Sequence, residues 1–366
     1  MNHTKLLIFH PVIAPYRIDL FNEFYKRYDA KIYLFKRNLD SQKFDYAKIE
    51  QQFIFKPTYI ERRLGFFQWA IGIIRQLQLN KPQLVICSEF GIATLLVILF
   101  KYLTFKKYHI VSMVDDSYNM IAENNQFSKK HAWATRLITP ILNNVINVEP
   151  RVVNYYKKFY NKGIFMPIIV DDIQYRQRLQ KILTISESYV KAFNLEGKKI
   201  LLFVGRLVEI KNVSLALSAF AELNDPKTIF VIVGDGPELT KLKNMAANNS
   251  NIIFTGRLEG ENLYAWYNIA NVFTLPSYQE PFGAVTNEAL LGGCYALISK
   301  NAGSNCLIKE NSNGNVIDPY NKNQYIELLE KALDRASPIS LPLRLRPNGM
   351  FMHFQESFDK MQEKIM

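Results

Sequence analysis

The chain has 366 residues, 48% apolar and 21% charged, with a formal net charge of +12. That apolar fraction supplies the cores of two domains or more and excludes a disordered or fibrous chain. Cys87, Cys294 and Cys306 are too scattered for a disulfide framework or a thiolate zinc site, and fit a reducing compartment.

The opening residues, 1–10, read as a short apolar strand rather than a signal peptide. β-rich apolar runs at 5–9, 31–35, 84–87, 109–114 and 145–148 then alternate with helical patterns near 16–28, 66–79, 92–103, 129–142 and 151–160. The longest apolar run, 90–100, stops at Lys101. It is well short of the ~18–20 residues that span a bilayer, so the expectation is a soluble, cytoplasmic protein. Residues 166–172 (MPIIVDD) read as a hinge, and 173–199 as a polar helix and loop. Strands follow at 200–204, 229–233, 252–254, 272–275, 295–299 and 315–317, with helices near 213–223, 237–248, 263–270, 284–291 and 324–335. Three prolines between 338 and 347 forbid a regular element there, and a helical pattern resumes from Met350. Strand–helix alternation with continuous apolar strands predicts α/β architecture with parallel sheets covered on both faces. The expected division is 1–168, 169–340 and a C-terminal segment, 341–366, whose helix crosses back to the first domain.

The charge is one-sided. Residues 1–165 carry 24 Lys/Arg against 12 Asp/Glu, whereas 166–366 carry 21 of each, so the first half is expected to face something anionic. Segment 61–77 (ERRLGFFQWAIGIIRQL), with Lys101, Lys106 and Lys107 nearby, has the composition of an interfacial membrane helix and equally of a helix covering a sheet. The one-sided charge favours docking on an anionic bilayer. No zinc finger or RNA-recognition motif accompanies the basic half, so nucleic acid is not the expected partner. No G-x-G-x-x-G follows the first strand, which argues against a dinucleotide oxidoreductase.

Two stretches carry chemistry. In 201–217 (LLFVGRLVEIKNVSLAL) an apolar strand ends at Gly205, followed by Arg206, Lys211 and the N-cap candidate Asn212. Two cations at the carboxyl end of a parallel strand lie where open α/β sheets hold phosphate. In 272–291 (VFTLPSYQEPFGAVTNEALL) Glu280 falls in a loop shaped by Pro281 and Gly283, and Glu288 about a turn inside the next helix. Both carboxylates can then line one ligand and accept from paired hydroxyls, beside the turn amides of Phe282, Gly283, Ala284 and Val285.

These segments resemble the retaining glycosyltransferases of the GT-B fold, most closely family 4 (glycosyl transferases group 1). The matching pieces are Gly205-Arg206-Leu207…Lys211-Asn212, Val233-Gly234-Asp235-Gly236-Pro237, Phe254-Thr255-Gly256-Arg257 and Glu280-Pro281-Phe282-Gly283…Asn287-Glu288-Ala289, in family order over about 120 residues. The resemblance implies two Rossmann-like domains facing a cleft. It also implies that Arg206 and Lys211 neutralise the donor diphosphate, Glu288 binds the ribose hydroxyls, and Glu280 with the backbone at Phe282 and Gly283 holds the donor sugar. The Gly256-Arg257-Leu258 loop would pack round the base. The implied activity is retaining transfer from a nucleotide sugar, UDP-sugar ahead of GDP-sugar, to a lipid-linked or growing glycan in bacterial surface polysaccharide synthesis. A hydrolase or epimerase acting on the same donor is the alternative. No D-x-D triplet stands at the site, so no metal or other cofactor is expected.

In the first half, many family 4 members carry a His where this chain has Val114-Asp115-Asp116-Ser117-Tyr118. Asp116, ahead of Asp115, is the candidate to orient the acceptor hydroxyl or take its proton; capping is the simpler alternative. The loop 10–17 (HPVIAPYR) lacks the glycines common in the family, and Arg17 either reaches a phosphate or sits at the surface. Asp171-Asp172 reads as structural, and His3, His109, His131 and His353 have no metal spacing.

Overall fold

The computed structural model describes residues 4–38, 44–60, 65–119, 121, 129–246 and 249–366. They fall into two units, Met1–Val170 with Gln355–Met366, and Asp171–Phe354. The first contains β1 (Lys5–His10), α1 (Ile18–Arg27), β2 (Asp29–Leu34), α2 (Tyr46–Glu50), β3 (Thr58–Tyr59), α3 (Phe66–Asn80), β4 (Leu84–Ser88), α4 (Ile92–Leu103), β5 (His109–Val114), α5 (Lys129–Ile138), β6 (Asn144–Asn147), α6 (Pro150–Tyr160) and β7 (Ile164–Phe165). The second contains α7 (Asp172–Lys181), α8 (Leu183–Ala192), β8 (Lys199–Val204), α9 (Val213–Leu223), β9 (Thr228–Val233), α10 (Leu239–Met245), β10 (Ile252–Gly256), α11 (Glu261–Ile269), β11 (Val272–Leu275), α12 (Val285–Leu291), β12 (Tyr295–Ser299), β13 (Gly314–Ile317) and α13 (Lys322–Arg335). The last helix, α14 (Phe354–Ile365), belongs with the first unit from Gln355 onward.

Each unit is built on one parallel sheet, ordered β3-β2-β1-β4-β5-β6-β7 in the first and β10-β9-β8-β11-β12-β13 in the second. Most strands are largely apolar because helices cover both faces; β9 (TIFVIV) is buried at every residue. In each sheet the order reverses once, between β1 and β4 and between β8 and β11. Loops leaving adjacent strands at such a switch point turn to opposite faces and leave a crevice at the carboxyl edge, where α/β sheets place their ligands.

The two-residue strands β3 and β7 and the short helix α2 are too brief to leave a periodic signature, and the sequence shows none of them. The polar stretch after the hinge is two helices, broken at Ile182. Of the expected amphipathic segment 61–77, residues 61–64 lie outside the described residues; α3 covers the rest. Among the described residues no helix is long and apolar enough to cross a membrane.

The C-terminal return is shorter than the expected 341–366. Residues 341–354 remain with the second unit, where the buried Arg346 donates to the carbonyls of Tyr267 (2.9 Å) and Ile269 (3.4 Å) at the end of α11. Only α14 packs on the first unit. Phe358 stacks edge-on to Phe24 at 5.2 Å between centroids, and Phe358, Met361 and Ile365 are buried. Each such side chain contributes about 1.5–3 kcal/mol on leaving water. Arg27 lies over the Phe358 ring at 4.8 Å, pairs with Asp359, and donates to Gln355 (2.8 Å) and Gln362 (2.9 Å).

Candidate active site

In the second unit the loops after β8, β9 and β11 are bonded into one platform. The Leu207 amide donates to Asp235 O (2.9 Å), Glu238 N to Leu207 O (3.0 Å), and Tyr278 N to Ile210 O (2.9 Å). The Val233–Pro237 turn needs its glycines because it presses on the Gly205–Leu207 backbone. A Cβ on Gly234 would lie 1.8 Å from Gly205 O, and one on Gly236 2.3 Å from Leu207 O. The turn that looked like a second motif is therefore the buttress of the first.

On this platform Lys211 forms an ion pair with Glu280, their side chains 20% and 12% exposed. Burial, and then the Arg206 guanidinium, lower the Lys211 ammonium to about 8; the Glu280 carboxylate it touches opposes that, so it stays charged at neutral pH. Arg206 itself is exposed. Asn212 does not cap α9. It adopts a left-handed φ of 52°, which Asn tolerates, and its Nδ2 donates to Pro319 O (3.1 Å).

Glu280 is held by backbone: its amide donates to Asn301 O (3.2 Å) and its carbonyl accepts from Gly303 N (3.1 Å). Asn301 Nδ2 also donates to Tyr278 O (2.9 Å), and Ser304 N to Phe282 O (2.8 Å). The Asn301-Ala302-Gly303-Ser304 segment thus cradles the Glu280–Gly283 loop, and sequence reasoning missed it. Its signal was a glycine that a Cβ would push to 2.3 Å from Pro281 O. Gly283 has φ +91° and a Cβ there would come 2.6 Å from Leu275 Cδ2. Phe282 is buried beneath the turn; the amides of Gly283, Ala284 and Val285 have no protein acceptor among the described residues, as at any helix start.

Glu288, in the first turn of α12, is not a surface residue. Its Oε2 accepts from the Tyr267 hydroxyl (2.9 Å), and burial pushes its carboxyl up to about 7, the Tyr267 bond pulling the other way. Arg257 is exposed and paired with Glu259 (Nε to Oε1, 3.0 Å), with Leu258 half-buried beside it.

The first unit gathers charge at its own switch point. Arg17 follows β1, Glu89 follows β4, and Asp115 and Asp116 follow β5. Arg17 is neither exposed nor unpaired: it is 4% exposed and pairs with Asp115. His10, buried beside it, is lowered to about 4 by burial and the Arg17 charge, and its Nδ1 lies 2.8 Å from Val12 O, so the neutral ring donates there. Asp116 is buried, and its Oδ2 accepts from the Tyr156 hydroxyl (3.4 Å) and lies 3.6 Å from His131 Nε2. Burial raises its pKa while His131 and Tyr156 lower it. Glu89 sits in the left-handed region (φ 60°), its carbonyl accepting from Thr94 Oγ1 (2.7 Å) and Ser112 Oγ (2.8 Å). Burial and the two aspartates raise its pKa well above the usual range.

Ligand atoms of Glu89, Asp116 and His131 all lie within 4.8 Å of one another, a set of two carboxylates and an imidazole that could hold a divalent ion. The sequence reading discounted His131 and passed over Glu89. The imidazole of this cluster comes from α5. Asp171 and Asp172 are structural: Asp171 caps α7 through Gln174 N (2.9 Å), and Asp172 accepts from Phe354 N (3.2 Å) and lies 3.1 Å from His353 Nδ1. His3 lies outside the described residues.

Two parallel α/β units, one placing Arg206, Lys211 and Glu280 on loops beyond its strands and Glu288 in the first turn of a helix, have the architecture in which open sheets hold ligands at their carboxyl edge. Comparison narrows the class. Residues 186–349 match the family model described as glycosyl transferases group 1. Putative glycosyltransferase YtcC of Bacillus subtilis is 29% identical over 164 residues, 42% of this chain and 40% of its own length. The GDP-mannose-dependent alpha-mannosyltransferase of Corynebacterium glutamicum is 37% identical over 122 residues, 33% of this chain and 28% of its own. The match thus spans less than half of either relative. Among solved structures, Alr3699/HepE of Anabaena in complex with UDP superposes with a TM-score of 0.70 at 15% identity, over 90% of each chain. Residues 186–349 of the second unit are thus similar to glycosyl transferases group 1, and the two units have the GT-B fold.

Proposed function

We propose that the chain transfers a sugar, with retention, from a nucleotide-sugar donor to a hydroxyl of a lipid-linked or growing glycan, without a metal, at the cytoplasmic face of a bacterial membrane during surface polysaccharide synthesis. The observation that carries the donor half is the Lys211–Glu280 pair beside Arg206. Departure of a nucleoside diphosphate develops negative charge on phosphate. Two fixed cations can neutralise it, each such group being worth a few kcal/mol in enzymes of this kind of chemistry. Glu280, released from Lys211 as phosphate takes the ammonium, becomes an acceptor for the sugar's hydroxyls. Glu288 offers its free oxygen to the ribose diol while Tyr267 holds the other.

In the retaining reading the leaving phosphate removes the acceptor's proton and Asp116 orients the acceptor hydroxyl. A UDP-sugar is favoured over a GDP-sugar because HepE is seen with UDP. The Corynebacterium relative named for GDP-mannose keeps GDP-sugars in the assay.

A thermal-shift panel of nucleotide sugars tests the donor: a ligand at about 100 times its Kd adds about 2.7 kcal/mol of stability. Transfer to a lipid-linked glycan with an axial product bond from an axial donor is expected, and it persists in excess chelator. An inverted product refutes retention, and turnover without any acceptor makes the chain a hydrolase or epimerase. Complete loss with chelator refutes the metal-free reading and turns attention to Glu89, Asp116 and His131.

A further inference from the structure

The outer face of α3, α4 and α5 in the first unit has no part in that chemistry. Steps from β3 to β4, β5 and β6 all run one way across the sheet, so right-handed crossovers put these three helices on one side. Their inner residues confirm it, with Trp69, Ile73, Val97 and Ile138 sharing one core cluster with Phe9 and Val85. Their outer sides carry large apolar side chains as well, beside Arg75 on α3 and Lys129, Lys130 and Arg136 on α5. Phe67 is 79% exposed on α3, Leu99 and Leu103 are 54% and 76% exposed on α4, and Trp133 is 66% exposed on α5. On α4 the exposed positions continue the helical repeat, so the helix is apolar all round, which a helix that only covers a sheet does not need.

Phe105 adds an independent observation. The chain leaves α4 with Lys106 N bonded to Lys101 O (3.0 Å), which places Phe105 at the left-handed turn position (φ 52°) where Gly or Asn normally ends a helix. A bulky aromatic there is disfavoured. It is 89% exposed, so packing does not compensate. The fold alone gives no reason for it. Lys106 and Lys107 follow at once, and from 65 to 107 the one acid, Glu89, sits at the end of β4, against Arg75, Lys81, Lys101, Lys106 and Lys107. A second copy of this face would bring like charges together, whereas anionic lipid headgroups complement them.

We propose that the outer face of α3–α5, with Phe105 at its tip, seats on an anionic bilayer, the apolar side chains entering the headgroup boundary and the lysines meeting phosphate. The proposal does not depend on the transferase reading: vesicle binding is measured without donor, and nucleotide-sugar thermal shift without vesicles, so either can fail alone. The test is co-sedimentation of the full chain with vesicles of equal parts phosphatidylglycerol and phosphatidylcholine. Binding is expected at low salt, weakened at high salt and absent with phosphatidylcholine alone. Phe105→Asn suits the left-handed turn and leaves folding intact, yet should lower binding about tenfold. Lys106→Glu with Lys107→Glu should lower it at least as much, with the nucleotide-sugar thermal shift unchanged. No binding at low salt, or binding that both variants retain, overturns the proposal. So does a concentration-dependent dimer that Phe105→Asn dissolves while vesicles go unbound.

Discussion

The second unit draws its charged residues from loops that are short, glycine-lined and bonded to one another through backbone, so Lys211 and Glu280 pair across the ends of β8 and β11. The first unit places its charge at the equivalent switch point with little backbone support. Arg17, Glu89, the Asp115-Asp116 pair and His131 come from four separate elements and are held largely by side-chain contacts. A backbone platform keeps its geometry when one side chain changes; a side-chain cluster does not. Substitutions in the second unit should therefore remove single interactions, while those in the first should also shift their neighbours.

The largest expected effects test that contrast at its centre. Asp116→Asn should lower turnover by about 10²–10⁴ if the carboxylate handles the acceptor hydroxyl, with donor affinity unchanged. A fall in donor affinity to match would break the division of labour between the units. Lys211→Ala should cost about 10²–10³ in kcat/KM and abolish the nucleotide-sugar thermal shift, because it also leaves Glu280 unpaired.

Glu288→Gln sharpens the comparison by separating stability from binding. The Glu288 carboxyl is raised in the folded chain to about 7, so its contribution to stability is present below its unfolded value and lost as pH rises through 7. At pH 8 the variant without ligand should be more stable by roughly 1–3 kcal/mol, read by denaturant melts, while the donor-induced shift is lost. Donor affinity in the parent should also fall as pH climbs past about 8 and Lys211 loses its proton, by an amount that Lys211→Arg removes. Arg257→Ala should change donor affinity only a few-fold, since its guanidinium is exposed and already paired with Glu259.

The contrast also explains what could be read in advance. A lysine seven residues past a strand end is a local feature, and local features survive in one sequence. Most strands of both parallel sheets were legible as short apolar runs, whereas the two-residue strands β3 and β7 were not. Glu288 was legible as a position but not as a buried group, because the Tyr267 hydroxyl that meets it comes from α11, 21 residues earlier. Glu89 and His131 were illegible because no spacing links them: the sheet order alone makes them neighbours of Asp116. The pairing of Arg17 was illegible because its partner, Asp115, lies 98 residues away. The exposed face of α3–α5 was half legible. Its composition is in the sequence, but which side faces outward depends on the crossovers.

The first unit is discontinuous, interrupted between Val170 and Gln355 by the whole of the second. During synthesis the second unit, encoded without a break, can complete its sheet as it emerges. The first must wait with Phe24 and Arg27 uncovered until 355–366 have been made. The order of chain growth is therefore not the order of folding. A nascent protein halted just after residue 354 would hold a complete second unit beside a sticky, unfinished first one, a natural client for chaperones.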